Sequence, residues 1–183
     1  LYMLTRMEEE GADFDAVLKE AQEKGYAELH PEADIEGWDA CRKIAILTSL
    51  ACEQQVDFED IYTEAITGIS AEDIRYAEHM GMKIKLIGQS QICDGKVYAM
   101  VSPMLIEDHY PLAAVRDVFN AIVVRGNMVD DVMFYGKGAG SLPTASAVAA
   151  DVVDCVKNIG KNVKINWSPT KLVLGDNGSF EIA

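Results

Sequence analysis

An acidic and a basic side chain one helical turn apart are the strongest chemical signal in this sequence. Asp39 and Lys43 lie near the start of the segment 38–55, which is rich in apolar residues and contains neither Pro nor Gly, so it favours a helix. At about 100° per residue, both charges fall within the apolar arc of that helix. Because burying an unpaired ion costs several kcal/mol, two opposite charges on an inward stripe require an explanation.

The helical wheel predicts which side of this helix is buried. The predicted inward arc contains Ala40, Ile44, Ile46, Leu47, Leu50 and Ala51, and the opposite side contains Arg42, Thr48 and Ser49. Two explanations of the charges are compatible with the spacing. One is an exposed ion pair between positions i and i+4, worth about 0.2 to 0.5 kcal/mol. The other is a cleft in which a lysine and a carboxylate exchange a proton with a hydroxyl or a carbonyl.

The segment that leads into this helix, GYAELHPEADIEGWDACRK at 25–43, is polar and dense in carboxylates. Taken alone, such an acidic run is usually a solvated face. The spacing, however, resembles the substrate loop and catalytic helix of the homoserine dehydrogenase family, which shows Gly-Tyr-x-Glu, then Pro, then Asp-x-x-Gly-x-Asp-x-x-x-Lys. The matching residues are Gly25, Tyr26, Glu28, Pro31, Asp34, Gly37, Asp39 and Lys43. His30 departs from the pattern, since the family usually has an acidic residue there.

The resemblance implies an activity and a role for each matched residue. The family interconverts L-homoserine and L-aspartate 4-semialdehyde by hydride transfer with NAD or NADP, in threonine, methionine and isoleucine biosynthesis. By this resemblance, Lys43 is the acid/base that handles the hydroxyl proton. Asp39 orients Lys43 and forms a hydrogen bond with the reacting oxygen. Glu28 accepts the substrate ammonium, with Asp34 supporting that end of the substrate.

A glycine-rich turn before the last predicted helix is the second functional candidate. It lies in FYGKGAGSLPTASAVAADVVD at 134–154, where backbone N–H groups at the helix start attract anions such as a cofactor phosphate. The spacing is not G-x-G-x-x-G, because position 141 is Ser, and glycines that only permit a turn are the simpler interpretation. The segment also resembles the part of the family that returns to the nucleotide-binding domain. That resemblance implies that Gly138 and Gly140 face the cofactor.

The domain organisation predicted from these motifs is that of part of a larger enzyme. The chain lacks a strand followed by G-x-G-x-x-G. In homoserine dehydrogenases a similar segment directly follows a nucleotide-binding domain, so the resemblance implies that NAD or NADP is held mainly by such a preceding domain. Leu1 opens inside an apparent helix, and Tyr2, Leu4 and Met7 match the family's Asn-Tyr-x-Leu-x-x-Met. We therefore predict a catalytic and dimerisation domain at 1–156 and a C-terminal hairpin or linker at 157–183. The alternative is an amino-acid-binding or dimerisation module without activity of its own.

The order of predicted elements favours an α+β fold with an open mixed, largely antiparallel sheet and helices on one face. Helices are predicted at 1–10, at 14–24 after an Asp13 cap, at 38–55, at 70–81 with a capping-box-like pattern of Ser70 and Asp73, and from the Pro143 turn to about Val156. A short helical or turn segment is predicted at 57–63 and a short helical piece at 112. Strands are predicted at 65–69, 119–124 and 130–135, with a hairpin of 82–87 and 97–104 across Asp94-Gly95 and a terminal hairpin of 171–174 with 180–182. The uncovered sheet face would be too apolar to remain wet, so we expect a second copy of the chain to cover it or to extend the sheet, giving a homodimer or higher homo-oligomer.

Composition excludes several classes of partner. A net charge of −14 opposes binding to nucleic acid and to anionic membranes, and no window of about 18 apolar residues suggests membrane insertion. The four cysteines are widely spaced and contain no CxxC pair, which favours free thiols in a reducing cytoplasm. Neither they nor the three histidines have metal-ligand spacing, so we expect no transition-metal site.

Overall fold

The computed structural model describes residues 2–27, 29–138, 140–162 and 167–176. Six α-helices and five strands are assigned within these ranges, in the order α1 (Tyr2–Glu10), α2 (Phe14–Glu23), α3 (Glu32–Ile35), α4 (Trp38–Cys52), β1 (Tyr62–Thr63), α5 (Ala71–His79), β2 (Met82–Cys93), β3 (Lys96–Glu107), β4 (Phe119–Gly126), β5 (Asp130–Lys137) and α6 (Ser141–Lys157). Two short 3₁₀ helices lie at Phe58–Asp60 and Pro111–Ala114. The predicted α+β class is confirmed.

The first two helices pack together over one end of the main sheet, which has the strand order β1-β3-β2. Their apolar positions recur at helical spacing, so each helix buries one stripe, with Met7 and Val17 among the most buried side chains. The same cluster includes Ile74 of α5 and partly buried Ile84 of β2. Asp13 is at the N-cap of α2, as predicted, but its side chain makes no capping bond.

The main sheet is organised by the long hairpin of β2 and β3. The two strands are antiparallel from Met82 opposite Glu107 to Cys93 opposite Lys96. Asp94 and Gly95 both have positive φ, at 50° and 73°, as a two-residue hairpin turn of the primed type requires. The hairpin predicted from sequence is therefore confirmed and is longer than expected. Strand β1 joins the other edge of β3 in parallel, and α4 and α5 pack against β2.

The last three elements form a second unit with little burial. Strands β4 and β5 pair only with each other among the described strands, so the strands form two small sheets rather than one. Helix α6 follows β5 after the glycine turn. No described residue from 119 to 157 is buried. None of the helices in the described ranges is long and apolar enough to cross a membrane.

Two local predictions differ from the structure, and the predicted terminal hairpin falls partly outside the described residues. The predicted strand at 65–69 is wrong: Ile66 is buried and starts a turn in which the Ile69 amide bonds the Ile66 carbonyl at 3.1 Å. Helix α4 ends at Cys52 rather than near residue 55, because Glu53 adopts a left-handed conformation with φ of 50°. The second strand of the terminal hairpin lies outside the described residues, and Leu174 instead bridges Val97 of β3.

Candidate active site

Helix α4 begins where the backbone passes very close to the main sheet. Gly37, its N-cap, is buried and has φ of +83°. A Cβ at this position would lie 3.1 Å from Cγ2 of Thr63 and 3.5 Å from Cγ1 of Val101. Both the backbone angle and the lack of space therefore require glycine at position 37. This close contact fixes the start of α4 against β1 and β3.

The side of α4 that packs on the sheet is not the one that the helical wheel predicts. Its buried residues are Cys41, Ala45, Thr48 and Ser49. The two hydroxyls bond carbonyls one turn earlier in the same helix, both at 2.7 Å, and Ser49 also accepts the Val56 amide at 2.9 Å. Satisfied hydroxyls can be buried at little cost, so these small polar residues take the inward side.

Three large apolar residues of α4 lie on the opposite, outward side. Ile46 and Leu50 are 59% and 58% exposed, so the prediction that this arc is inward is wrong. The side of α4 that faces the sheet instead includes Ile44, which packs over Gly88 of β2 so closely that an added Cβ there would lie 3.3 Å from the Ile44 Cβ. We call Ile46, Leu47 and Leu50 the outer stripe of α4.

Asp39 and Lys43 lie on this outward side and contact each other. The Lys43 Nζ donates to Oδ2 of Asp39 at 2.6 Å. The side chains are 63% and 49% exposed for Lys43 and Asp39, respectively, so the predicted pairing is present and the predicted burial is wrong. In this chain the pair is therefore an exposed i, i+4 ion pair at the edge of an exposed apolar stripe. It becomes a closed proton-handling site only if another surface covers that stripe.

The acidic segment before α4 is held by the short helix α3, which packs against α4. Pro31 is buried at its start, and the Ile35 carbonyl accepts the Ile66 amide at 2.9 Å. Asp34 is exposed on this helix. Glu28, the predicted ammonium ligand, lies outside the described residues.

The two candidate glycines of the turn before α6 have local structural reasons of their own. Gly140 is the N-cap of α6 with φ of +123°, a conformation that L side chains rarely adopt. At Gly138, a Cβ would overlap the side chain of Asn120. The backbone angle favours glycine at position 140, whereas at position 138 the Asn120 side chain would have to move to make room for a Cβ. Both positions are also compatible with the close approach of a phosphate. Helix α6 is not among the main packing neighbours of α4.

A family model described as Homoserine dehydrogenase matches residues 1–153. The chain belongs to the homoserine dehydrogenase family. It is 45% identical over 165 residues to the homoserine dehydrogenase of Bacillus subtilis (strain 168), an alignment that covers 90% of this chain and 38% of that protein. A crystal structure of a homoserine dehydrogenase from Thiobacillus denitrificans superposes with a TM-score of 0.84 at 42% identity, over 94% of this chain and 41% of that one.

A hyperthermophilic archaeal homoserine dehydrogenase mutant in complex with NADPH is also similar, with a TM-score of 0.67 at 30% identity over 85% of this chain and 44% of that one. The family predicted from two separate motifs is therefore confirmed. The chain spans well under half the length of these three homoserine dehydrogenases.

The structure brings together only some of the residues that the homoserine dehydrogenase motifs single out. Asp39 and Lys43 are in contact, and α3 places Asp34 on an element that packs against their helix. Gly138 and Gly140 belong to the separate β4, β5 and α6 unit. In the described ranges no three His, Cys, Asp or Glu side chains converge as metal ligands.

Sequence reasoning missed a buried charge cluster on the main sheet. Lys85 of β2 is 1% exposed; its Nζ donates to the Val115 carbonyl at 3.2 Å and lies 3.8 Å from Glu8 of α1. Glu8 also pairs with Lys83 and Arg116. Burial lowers the pKa of Lys85 from its ordinary value, because desolvation outweighs the attraction of Glu8. The alternation MKIKLI predicts a solvated lysine face, and only non-local contacts reveal the burial.

A C-terminal segment, 168–175, was also missed. It returns to the far end of α4, where the Ser168 amide bonds the Glu53 carbonyl at 2.8 Å and the Leu172 amide bonds the Gln55 carbonyl at 2.9 Å. Leu172 and Leu174 pack on the cluster beneath α4. The sequence predicts a strand at 171–174 but carries no signal for this contact with α4.

Proposed function

We propose that this chain is the catalytic portion of a homoserine dehydrogenase that interconverts L-homoserine and L-aspartate 4-semialdehyde, in cytoplasmic biosynthesis of threonine, methionine and isoleucine. The observation that carries the proposal is the Asp39 and Lys43 contact at the two positions where the family motif has its catalytic pair. A carboxylate that holds an ammonium in place beside a substrate hydroxyl is an arrangement suited to moving one proton.

In this proposal each matched residue has one task. Lys43 exchanges a proton with the hydroxyl oxygen of homoserine as the carbon–oxygen bond gains or loses double-bond character. Asp39 orients the Lys43 ammonium and accepts a hydrogen bond from the reacting hydroxyl. Glu28 accepts hydrogen bonds from the substrate ammonium, and Asp34 supports that end through its charge.

The nicotinamide cofactor, NAD or NADP, supplies the hydride chemistry when bound. The described residues fit only part of such a cofactor. The Gly140 turn, with its positive φ at the start of α6, permits the close backbone approach that a phosphate needs. No described strand leads into a G-x-G-x-x-G turn, so we assign most of the cofactor contacts to another part of a longer protein. The NADPH complex of the archaeal relative is compatible with this assignment.

The outer stripe of α4 indicates how the site is completed. Ile46, Leu47 and Leu50 continue the side of the helix on which Asp39 and Lys43 lie, and all three are exposed. Covering them would remove water from around the charge pair and strengthen its interactions with a substrate. We assign this role to the cofactor-binding part of the longer protein.

A homodimer or higher homo-oligomer is the second part of the proposal. The chain exposes 12060 Å². A compact monomer of 183 residues exposes about 8,700 Å². The difference is comparable to the area that obligate subunit interfaces bury, and β4, β5 and α6 carry many of the exposed apolar residues.

The test of the mechanism is Lys43→Ala in the longer enzyme that carries this chain. We expect kcat to fall by about 10²- to 10⁴-fold, the usual contribution of a general acid or base. Lys19→Ala, which removes an exposed lysine of α2, is the matched control and should leave kcat unchanged. A Lys43→Ala enzyme with near wild-type kcat would remove Lys43 from the mechanism.

The chain by itself provides a second test. Because it supplies only part of the cofactor contacts, we expect residues 1–183 alone to give little or no NAD(P)H from homoserine. Robust turnover by this chain would contradict the assignment of the cofactor to another part of the protein. If the longer enzyme is also inactive on homoserine yet binds it, the alternative of an amino-acid-binding module is favoured.

A further inference from the structure

Tyr2, the first residue of α1, contacts the segment that leads to the candidate active site. Its ring centroid lies 4.9 Å from that of Tyr26, with the two planes inclined by 52°. Tyr26 is the tyrosine of the Gly-Tyr-x-Glu motif, two residues before Glu28. Such a tilted aromatic pair stabilises the contact beyond the area it buries. The contact therefore joins α1 to the proposed substrate loop.

The Tyr2 ring is itself held in place from several sides. Its hydroxyl donates to Oε1 of Glu20 at 2.8 Å and accepts from Nζ of Lys24 at 3.1 Å. Lys24 and Glu20 also pair with each other, and the guanidinium of Arg6 lies 6.0 Å from the ring centroid. Tyr2 also packs against the apolar cluster of α1 and α2. The ring is thus fixed to the two helices that carry these partners.

The backbone after α2 is held on its other side. The amides of Tyr26 and Ala27 both bond the carbonyl of Ala21, at 2.8 Å and 3.2 Å. The Tyr26 side chain is nonetheless half exposed, so backbone bonds alone leave it free to rotate away from α2. The Tyr2 ring supplies the contact that restricts this rotation.

We propose that Tyr2 is a positioning residue, whose ring holds Tyr26 of the Gly-Tyr-x-Glu motif in place for substrate binding. Tyr2 touches neither substrate nor cofactor in this proposal. The inference depends on the proposed function for its consequence in catalysis, and on the ring contact alone for its consequence in structure.

The kinetic test compares two substitutions in the longer enzyme. Tyr2→Leu removes the aromatic ring, and we expect KM for homoserine to rise about tenfold with kcat and KM for NAD(P) nearly unchanged, because only the placement of the substrate amino end is loosened. Tyr2→Phe keeps the ring and loses only the hydroxyl contacts, so it should keep KM within about twofold of wild type. Equal damage in both variants would overturn the proposal, since the hydroxyl network and not the ring would then be responsible.

A second measurement does not depend on activity. In residues 1–183, hydrogen exchange at the amides of Tyr26 and Ala27 should become at least about tenfold faster in Tyr2→Leu and remain unchanged in Tyr2→Phe. Amides of β2 and β3 report whether each variant is folded. Tyr26→Leu removes the same contact from the exposed side and should accelerate exchange at Ala27 to a similar degree.

These two measurements separate the failures. A wild-type enzyme without homoserine turnover would defeat the proposed function, while the exchange data would still decide the role of Tyr2. Unchanged exchange at Tyr26 and Ala27 in Tyr2→Leu and unchanged exchange at Ala27 in Tyr26→Leu would overturn the positioning role, whatever the activity.

Discussion

Two parts of this chain are rich in apolar residues: the packed half, from α1 to β3, and the second half, formed by β4, β5 and α6. Only the packed half buries its apolar residues. Helices α1, α2, α4 and α5 pack with the main sheet around two clusters, and residues such as Cys41 and Val101 are fully buried. The unit of β4, β5 and α6 has complete strand pairing and a helix of 17 residues, yet none of its described residues is buried. Regular backbone structure therefore forms in both halves, and burial distinguishes them.

Small residues at the contacts account for part of this difference. In the packed half, α4 lies very close to the strands at Gly37 and Gly88. An added Cβ would lie 3.1 Å from a side-chain atom of Thr63 at the first position and 3.3 Å from one of Ile44 at the second. In the second half, the close approach at Gly138 is only to Asn120 of the adjoining strand. The packed half therefore closes on itself, whereas the second half leaves its apolar residues exposed.

The largest predicted effect compares one methionine from each half. Met7 is 1% exposed and Met128, in the turn between β4 and β5, is 87% exposed. Met7→Ala should lower the free energy of unfolding of this chain by about 2 to 5 kcal/mol, because it leaves a cavity among α1, α2 and β2. Met128→Ala should change it by less than about 0.5 kcal/mol.

Urea denaturation followed by the fluorescence of the two tryptophans measures both variants. If the two substitutions cost the same, the contrast in burial between the halves does not exist in solution. A large cost for Met128→Ala would instead indicate that the turn is already covered, for example by self-association of the chain.

The second prediction isolates the close approach at the start of α4. Gly37 and Gly11 both have positive φ, but a Cβ at Gly11 would meet nothing within 4 Å. Gly11→Ala should therefore cost about 1 kcal/mol, from backbone strain alone. Gly37→Ala should cost about 2 kcal/mol or more, because Thr63 must also move. Equal costs in urea denaturation would show that the sheet yields without resistance and that α4 is not fixed there.

What could be predicted from the sequence is what neighbouring residues decide. The β2 and β3 hairpin follows from alternating apolar residues and the Asp94-Gly95 turn. The capping box of Ser70 and Asp73, predicted from their spacing, is present with both of its bonds. The Asp39 and Lys43 contact is local in the same sense, since it spans one helical turn.

What could not be predicted depends on contacts between distant segments. The helical wheel orders residues by hydrophobicity, whereas α4 is oriented by the space above Gly88 and by hydroxyls that its own carbonyls satisfy. The parallel pairing of β1 with β3 and the return of 168–175 to the end of α4 likewise join residues that are far apart in sequence. The exposure of Lys43 follows from the orientation of α4, so its contact with Asp39 could be predicted and the exposure of that contact could not.

The smallest predicted effect concerns the buried charge of the packed half. Lys85 faces Glu8, Glu9, Lys83 and Arg116, and burial lowers its pKa below the ordinary 10.5. The unfolded chain then binds more protons than the folded one between these two pKa values, so the stability of the wild type rises with pH across that window. Below the window the full desolvation cost remains, and Lys85→Met should be more stable than wild type by about 1 kcal/mol near neutral pH.

This advantage should shrink as the pH approaches 10.5, because the wild-type lysine becomes neutral in the folded state and loses the cost that methionine avoids. Urea denaturation at neutral and at alkaline pH measures the difference, and Lys96→Met, at an exposed position of β3, is the control that should show no such pH dependence. A Lys85→Met variant that is less stable than wild type at neutral pH would mean that the Glu8 attraction outweighs desolvation. The charge of Lys85 would then help to hold α1 on the sheet. Electrostatic attraction as well as apolar burial would then stabilise the packed half.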